Sequence, residues 1–157
     1  RAFLEPWDPR RPDGFYTEAY WVEQVRRSRE EAENDRSLRL FIFPDEAPGE
    51  VIGTVNFTEF VRGTFQACYL GYGLSAAREG QGYMREALRA AIAHVFGPLR
   101  MHRIMANYLP HNRRSGNLLK ALGFQVEGYA RDYLRINGRW EDHVLTSLTN
   151  PDWTAIG

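Results

Sequence analysis

The residues best suited to chemistry are Gly80 and Gly82, in the turn Glu79-Gly80-Gln81-Gly82. The turn follows an apolar run, Ala67 to Leu74. It opens a segment with apolar residues at Met84, Ala87, Leu88, Ala91, Ile92, Val95 and Phe96. Those steps of three and four predict a helix with one buried face. The first amides of a helix lack internal partners, and the helix dipole adds partial positive charge there. Two residues without side chains let a phosphate approach those amides closely. The expected chemistry is the holding of a phosphorylated cofactor, and a plain turn is the bland alternative. A nucleotide P-loop would need a Gly-Lys-Ser/Thr ending, which the turn lacks. A dinucleotide fingerprint would need a third glycine where Arg85 stands. Gly71 and Gly73, inside the preceding strand, predict a bulge or the close approach of another backbone.

Other chemistry-bearing types are sparse. The histidines His94, His102, His111 and His143 lie far apart without ligand spacing, and Cys68 is the only cysteine, so a metal site is not expected. A single cysteine also rules out an internal disulfide and, with no export signal, favours a reducing cytoplasm. The chain has 157 residues, 43% of them hydrophobic and 13% aromatic, which fits one domain with a real core over residues 1–157. Twenty basic residues balance twenty acidic ones. That argues against attachment to DNA or membrane by bulk charge. No apolar run is long enough to cross a bilayer as a helix.

The elements that must position these residues read in order. Residues 1–12 form an irregular lead-in, and Asp13 is the expected cap of a helix running to about Asn34. Phe15, Tyr16, Ala19, Val22 and Val25 supply its apolar side. Leu38 to Phe43 and Val51 to Phe57 read as a hairpin across a Pro- and Gly-containing turn. Thr58 to Gly63 connects to the central strand. Gly97-Pro98 ends the central helix. Met101 to Tyr108 is the next strand, followed by a polar loop from Pro110 to Arg114. A short helix carries Leu118, Leu119 and Leu122 on one side and closes on Gly123. Val126 to Ile136 and Trp140 to Leu148 form a second hairpin around Asn137-Gly138. Residues 150–157 read as an unstructured tail. One mixed α/β domain follows.

The stretches YLGYGLS (Tyr69 to Ser75), GQGYMREAL (Gly80 to Leu88), MHRIMANYLPHNRRSGNLLKALGF (Met101 to Phe124), EGYARDYLRINGRWEDH (Glu127 to His143) and LTNPDW (Leu148 to Trp153) carry a resemblance. With FLEPW (Phe3 to Trp7) and VRGTFQACYLGY (Val61 to Tyr72), they cover nearly the whole chain. The sequence resembles the GNAT N-acetyltransferase superfamily and, within it, the RimJ-type ribosomal-protein-alanine N-acetyltransferases. The resemblance implies a mixed, mostly antiparallel sheet with splayed central strands and flanking helices. It also implies acetyl-CoA as cosubstrate. Amides of Gly80, Gln81, Gly82, Tyr83 and Met84 would hold the pyrophosphate. The strand edge at Tyr72, Gly73 and Leu74 would pair with the pantetheine arm. Asn112 and Ser115 would lie near the sulfur. Three departures stand out. Glu79 occupies a position where the family usually has Gln or Arg, so its side chain is expected to point away from the cofactor. Met84 stands where a second Gly or Ala is usual. Leu119 replaces a tyrosine that often protonates the thiolate, which shifts that role to Ser115. The family's N-terminal strand, ahead of Phe3, is not seen in this sequence.

The implied reaction is direct attack of a neutral amine on a thioester. An α-amine, with a pKa of about 7.7–8.0, needs only a weak base, whereas a lysine side chain sits at about 10.4. A backbone amide freed near Tyr72 to Leu74 is the candidate oxyanion donor. Ser115 reads either as the thiolate's proton donor or as a helix N-cap. Asn112 reads as a cofactor contact or as a turn former. Glu59, Glu127, Asp132 and His111 are base candidates, and Asp142 reads as a hydrogen-bond partner within the sheet. Arg78, Arg85, Arg113 and Arg114 gather near the expected phosphates. Tyr16, Tyr20 and Trp21 are core or the wall of an acceptor groove. The expected acceptor is the N-terminal amine of a ribosomal protein, with possible association with the ribosome, no sequence-specific nucleic acid, and a monomer or homodimer. Two alternatives are an acetyltransferase for a small amine and a CoA-binding, ribosome-associated factor without turnover.

Overall fold

The computed structural model describes residues 14–154. The expected cap at Asp13, the 3–7 segment and residues 155–157 lie outside that range. Helix α1 (Glu18–Glu33) leads into strand β1 (Leu38–Ile42) and strand β2 (Gly53–Val61). Strand β3 (Ala67–Leu74) then passes through a short 3-10 turn, Ala76–Arg78, into helix α2 (Tyr83–Phe96). Strand β4 (Arg103–Tyr108), helix α3 (Arg113–Ala121) and the long strands β5 (Gln125–Ile136) and β6 (Arg139–Thr149) complete the order.

The six strands form one sheet in the order β1-β2-β3-β4-β6-β5. Every neighbouring pair is antiparallel except β3 and β4, which run parallel. A parallel pair needs a crossover, and α2 supplies it. The β3–β4 pairing is short, with Ala67, Cys68 and Tyr69 opposite Arg103, Ile104 and Met105. Beyond Tyr69 the two strands part. This fork, the expected splay, decides where a ligand can enter the sheet.

The core lies on the face that carries α2 and α3. Met84, Leu88, Ala91, Ile92 and Val95 of α2 are buried against Val55, Phe57, Cys68, Leu70 and Ile104. The helical spacing read from the sequence thus picked the buried face correctly, with Ala87 and Phe96 half-buried at its margins. Leu119 is buried in the same cluster, flanked by Leu118 and Leu122, and Gly123 caps α3 with φ +94°. Asn137 and Gly138 both adopt positive φ, as a type I′ hairpin turn requires.

Five expectations change. Helix α1 is capped by Thr17, whose Oγ1 accepts from the Tyr20 amide, and it buries no side chain. Val22 is 64% exposed, so its apolar side is not core. The stretch from Thr58 is no mere connection but a continuation of β2 through a bulge at Thr58–Val61, with Glu59 at φ +54°. No bulge breaks β3. Irregularities fall in β2 and β5 instead, and the open backbone of β3 comes from the fork. Finally, the tail is anchored as far as Thr154. The Trp153 indole donates to the Arg100 carbonyl at 2.8 Å and its ring packs edge-on to His102.

Candidate active site

The glycine turn is the candidate ligand site. Gly80 and Gly82 have φ values of +71° and +89°, a region in which residues with a Cβ are strained. A Cβ at either would meet nothing within 4 Å. Conformation, rather than crowding, therefore demands glycine here. Gly82 is the N-cap of α2 and offers no side-chain cap. The first bond of the helix runs from the Glu86 amide to the Gly82 carbonyl, which leaves the earlier amides of the turn to an outside acceptor.

Gly71 and Gly73 also have no neighbour within 4 Å of an added Cβ, at ordinary φ. They leave empty space along β3 where it departs from β4. Between them Tyr72 points into the helix-bearing face, and its hydroxyl lies 2.6 Å from Ser115 Oγ. Ser115 sits in the first turn of α3. Asn112 is the N-cap, and its Oδ1 accepts from the Ser115 amide at 3.2 Å. The cap reading of Ser115 is therefore replaced, since its hydroxyl is spent on Tyr72. With its Oδ1 used as the cap, Asn112 keeps Nδ2 as the donor it can offer a ligand. The chain thus places an anion-ready helix end, an open strand edge and a hydroxyl pair around one slot. These groups fit an elongated ligand with a diphosphate at one end and a reactive group at the other.

Burial pushes the Tyr72 phenol up, with the Ser115 hydrogen bond opposing and Tyr108 adding. Tyr72 therefore stays protonated well into alkaline solution. Sequence reasoning assigned Tyr72 by its backbone alone. The signal for its phenol was a bulky residue set between two glycines. Leu119, where a tyrosine was missed, is 1% exposed and purely core. Cys68 is fully buried, and burial pushes its thiol up to about 12, so it is no nucleophile.

The charges around the slot are mostly engaged. Arg114 reaches back from α3 to pair with Glu79 beside the glycine turn. Glu79 thus points to a cation, and its charge is balanced near the expected phosphates. Arg78 binds Glu46 and Glu50, both at 3.0 Å. Arg85 and Arg113 are exposed and form no ion pair among the described residues. Gln81 Nε2 donates to the Ala77 carbonyl, and the Tyr83 hydroxyl donates to Glu46. Both side chains are thus engaged within the protein.

Of the base candidates, Glu127 pairs with Arg103, which holds its carboxyl down, with the Ser147 hydroxyl adding to that. Asp132 gives its backbone amide to Asp142 Oδ1 at 2.9 Å. Asp142 is held low by that bond and by the Tyr129 hydroxyl, in keeping with a partner inside the sheet. His111 is exposed on the loop before α3. Glu59 lies in the β2 bulge at positive φ. Tyr20 packs tilted and Trp21 edge-on against Phe15, and Trp21 meets Phe41 of β1, while Tyr16 is 55% exposed. No cluster of His, Cys, Asp and Glu suited to a metal occurs among the described residues. No described helix is long and apolar enough to cross a membrane.

Known proteins share this fold. Residues 3–125 match the model of the acetyltransferase (GNAT) domain. The chain is 49% identical over 155 residues to the Escherichia coli ribosomal protein uS5-alanine N-acetyltransferase, covering 98% of this chain and 79% of that protein. Among solved structures, ribosomal-protein-S5-alanine acetyltransferase from Vibrio fischeri superposes with a TM-score of 0.91 at 38% identity, over 97% of this chain and 82% of that one. Mycobacterium smegmatis RimJ in complex with CoA-disulfide superposes at 0.81 with 30% identity, over 93% and 70% of the two chains.

Proposed function

The chain belongs to the GNAT acetyltransferase family, and from that premise we propose that it transfers acetyl from acetyl-CoA to the N-terminal α-amine of a ribosomal protein beginning with alanine. It acts where the bacterial ribosome is made, in the cytoplasm. The observation that carries the reading is the β3–β4 fork, with the glycine turn on one side and the Tyr72–Ser115 pair facing it. The acceptor is supported by the 49% identity to the E. coli uS5-alanine enzyme.

The amides of Gly80 to Met84 hold the diphosphate, and the β3 edge at Tyr72 to Leu74 aligns the pantetheine arm. Asn112 Nδ2 supports the arm near its end. Acetyl-CoA supplies an acyl carbon activated by sulfur. The amine nitrogen forms the C–N bond as the C–S bond breaks, and the electron pair leaves on sulfur. Ser115 Oγ–H gives that sulfur its proton, and Tyr72 Oη–H replaces the one Ser115 lost. The amine's proton leaves to water, which restores Tyr72. A backbone amide of β3 left unpaired by the fork stabilises the carbonyl oxygen during transfer.

Incubation with acetyl-CoA and unmodified ribosomal proteins, followed by mass mapping, tests the function. Acetyl on one N-terminal alanine is expected. Acetyl found only on lysines, or on nothing, would overturn the acceptor.

A further inference from the structure

The turn from Glu79 to Gly82 makes few backbone bonds of its own. The Glu79 amide donates to the Ala76 carbonyl at 3.3 Å, and the Glu86 amide to the Gly82 carbonyl at 3.1 Å. The amides of Gly80, Gln81 and Gly82 have no backbone acceptor among the described residues. Two glycines at positive φ give the segment a freedom that an unfastened turn would keep in solution. Side chains fasten it instead.

Glu46 makes the central tie. Its Oε1 accepts from Arg78 Nη1 at 3.0 Å and also from the Tyr83 hydroxyl. Arg78 is the last residue before the turn and Tyr83 the first after it, so one carboxylate oxygen brackets all four turn residues. Arg78 Nη2 donates to Glu50 Oε2 at 3.0 Å, so its guanidinium is oriented by two partners. Glu46 and Glu50 belong to the loop between β1 and β2, and that loop is itself fixed. The Ala47 amide donates to the Pro44 carbonyl and the Glu50 amide to the Ala47 carbonyl, both at 3.0 Å. Pro44 is fully buried. At the base of the loop the Ile52 amide donates to the Ile42 carbonyl at 2.9 Å, and the Ile52 carbonyl accepts from the Ser75 amide at 2.8 Å. A continuous path of contacts therefore runs from the sheet through this loop to both ends of the glycine turn.

The Glu46 side chain is 55% exposed. Exposed ion pairs add little to the stability of a whole fold. What this one can limit is the range of shapes open to the turn. A segment that becomes ordered only on binding lowers affinity by the entropy it gives up, and fixing it beforehand removes that loss. Coulomb's law alone gives the opposite sign, because an acid beside a diphosphate repels it. We infer that Glu46 is a positioning residue for the diphosphate: by tying Arg78 to Tyr83 it holds the glycine turn in the shape that receives the cofactor. This rests on the acetyl-CoA reading proposed above.

The test measures CoA binding by titration calorimetry, and steady-state rates with acetyl-CoA and a peptide beginning with alanine. Glu46→Ala removes both ties. Its CoA dissociation constant and acetyl-CoA KM are expected to rise about fivefold, the scale of one net hydrogen bond, with kcat and the peptide KM unchanged. Its melting temperature is expected to stay within about 2 °C of the wild type, as for other surface substitutions. Glu46→Gln keeps an oxygen acceptor at the same reach and is expected to fall between the wild type and Glu46→Ala. Tyr83→Phe removes one tie and is expected to weaken CoA less than Glu46→Ala does, which keeps the test open if Glu46→Ala misfolds. Combined with Glu46→Ala it should add nothing further, since the two act through the same bond. Unchanged or tighter CoA binding in Glu46→Ala, or a peptide KM that rises equally, would overturn the inference alone. A wild-type protein that does not bind CoA overturns the cofactor reading and the inference together.

Discussion

Ser115 and Tyr72 share one hydrogen bond at 2.6 Å, and the proposed chemistry runs through it. Ser115→Ala removes the proposed proton donor to the leaving sulfur. Its kcat is expected to fall by about 10²-fold, the lower end of general-acid effects, with little change in acetyl-CoA KM in steady-state assays of thiol release. Tyr72→Phe keeps the core packing and is expected to lower the same parameter. The pH profile carries a second expectation. The kcat/KM for peptide should rise as the α-amine loses its proton near about pH 7.7–8.0. It should then stay level towards pH 10, because burial raises the phenol of Tyr72 above its ordinary 10.0 and the protonated, donating form persists upward. A decline setting in between these values would remove Tyr72 from the proton path. Ser115 was legible in the sequence as a functional candidate. Its partner was not, because the contact joins residues 43 positions apart.

At the scale of elements, the junction of the glycine turn with α3 explains an acidic residue beside the proposed phosphate site. Glu79 is 22% exposed and pairs with Arg114. Arg114→Gln leaves that carboxylate unopposed near the diphosphate. The acetyl-CoA KM is expected to rise about fivefold, a modest Coulomb effect at a partly solvated site. Adding Glu79→Gln should restore most of the loss, and a double-mutant cycle on acetyl-CoA affinity measures the coupling. Gly82→Ala places a Cβ at φ +89°, which costs about 1–2 kcal/mol of strain. Weaker acetyl-CoA binding together with a lowered melting temperature is the expected result. The glycines were legible because backbone conformation is a local property. The Glu79–Arg114 pair was not, since surface charges 35 positions apart give no sequence signal.

Across the whole molecule, one hydrophobic cluster under α2 and α3 holds the fork open at a fixed angle. Leu88 is fully buried at its centre. Leu88→Ala is expected to cost about 2–5 kcal/mol in urea unfolding, with acetyl-CoA binding lost in parallel where the sheet no longer holds its shape. On the other face, α1 buries no side chain and touches the sheet through such contacts as Trp21 with Phe41 and Arg39 with Gln24. Its apolar residues at Val22 and Val25 are exposed. Periodicity correctly predicted a helix there but misjudged its packing, because an apolar stripe reports a capacity for burial and not the presence of a partner.

The sequence by itself determined the order of the elements, the buried face of α2, both hairpins and the glycine turn. Each depends on spacing within a few turns of chain, which propensity and steric rules govern directly. It also carried enough residue-level likeness to place the chain among acetyltransferases. Only the tertiary structure decided how β3 obtains its open edge. The sequence pointed to a bulge or a close backbone approach at Gly71 and Gly73, and of these the bulge is absent: the backbone is freed by the parting of β3 from β4 after Tyr69. Strand divergence arises from the packing of α2 and α3 against a twisted sheet, which no local window contains. The same packing brings Tyr72 to Ser115, and Asn107 to Tyr133. Hydrogen bonds between distant residues form only once the core fixes the distance between their strands.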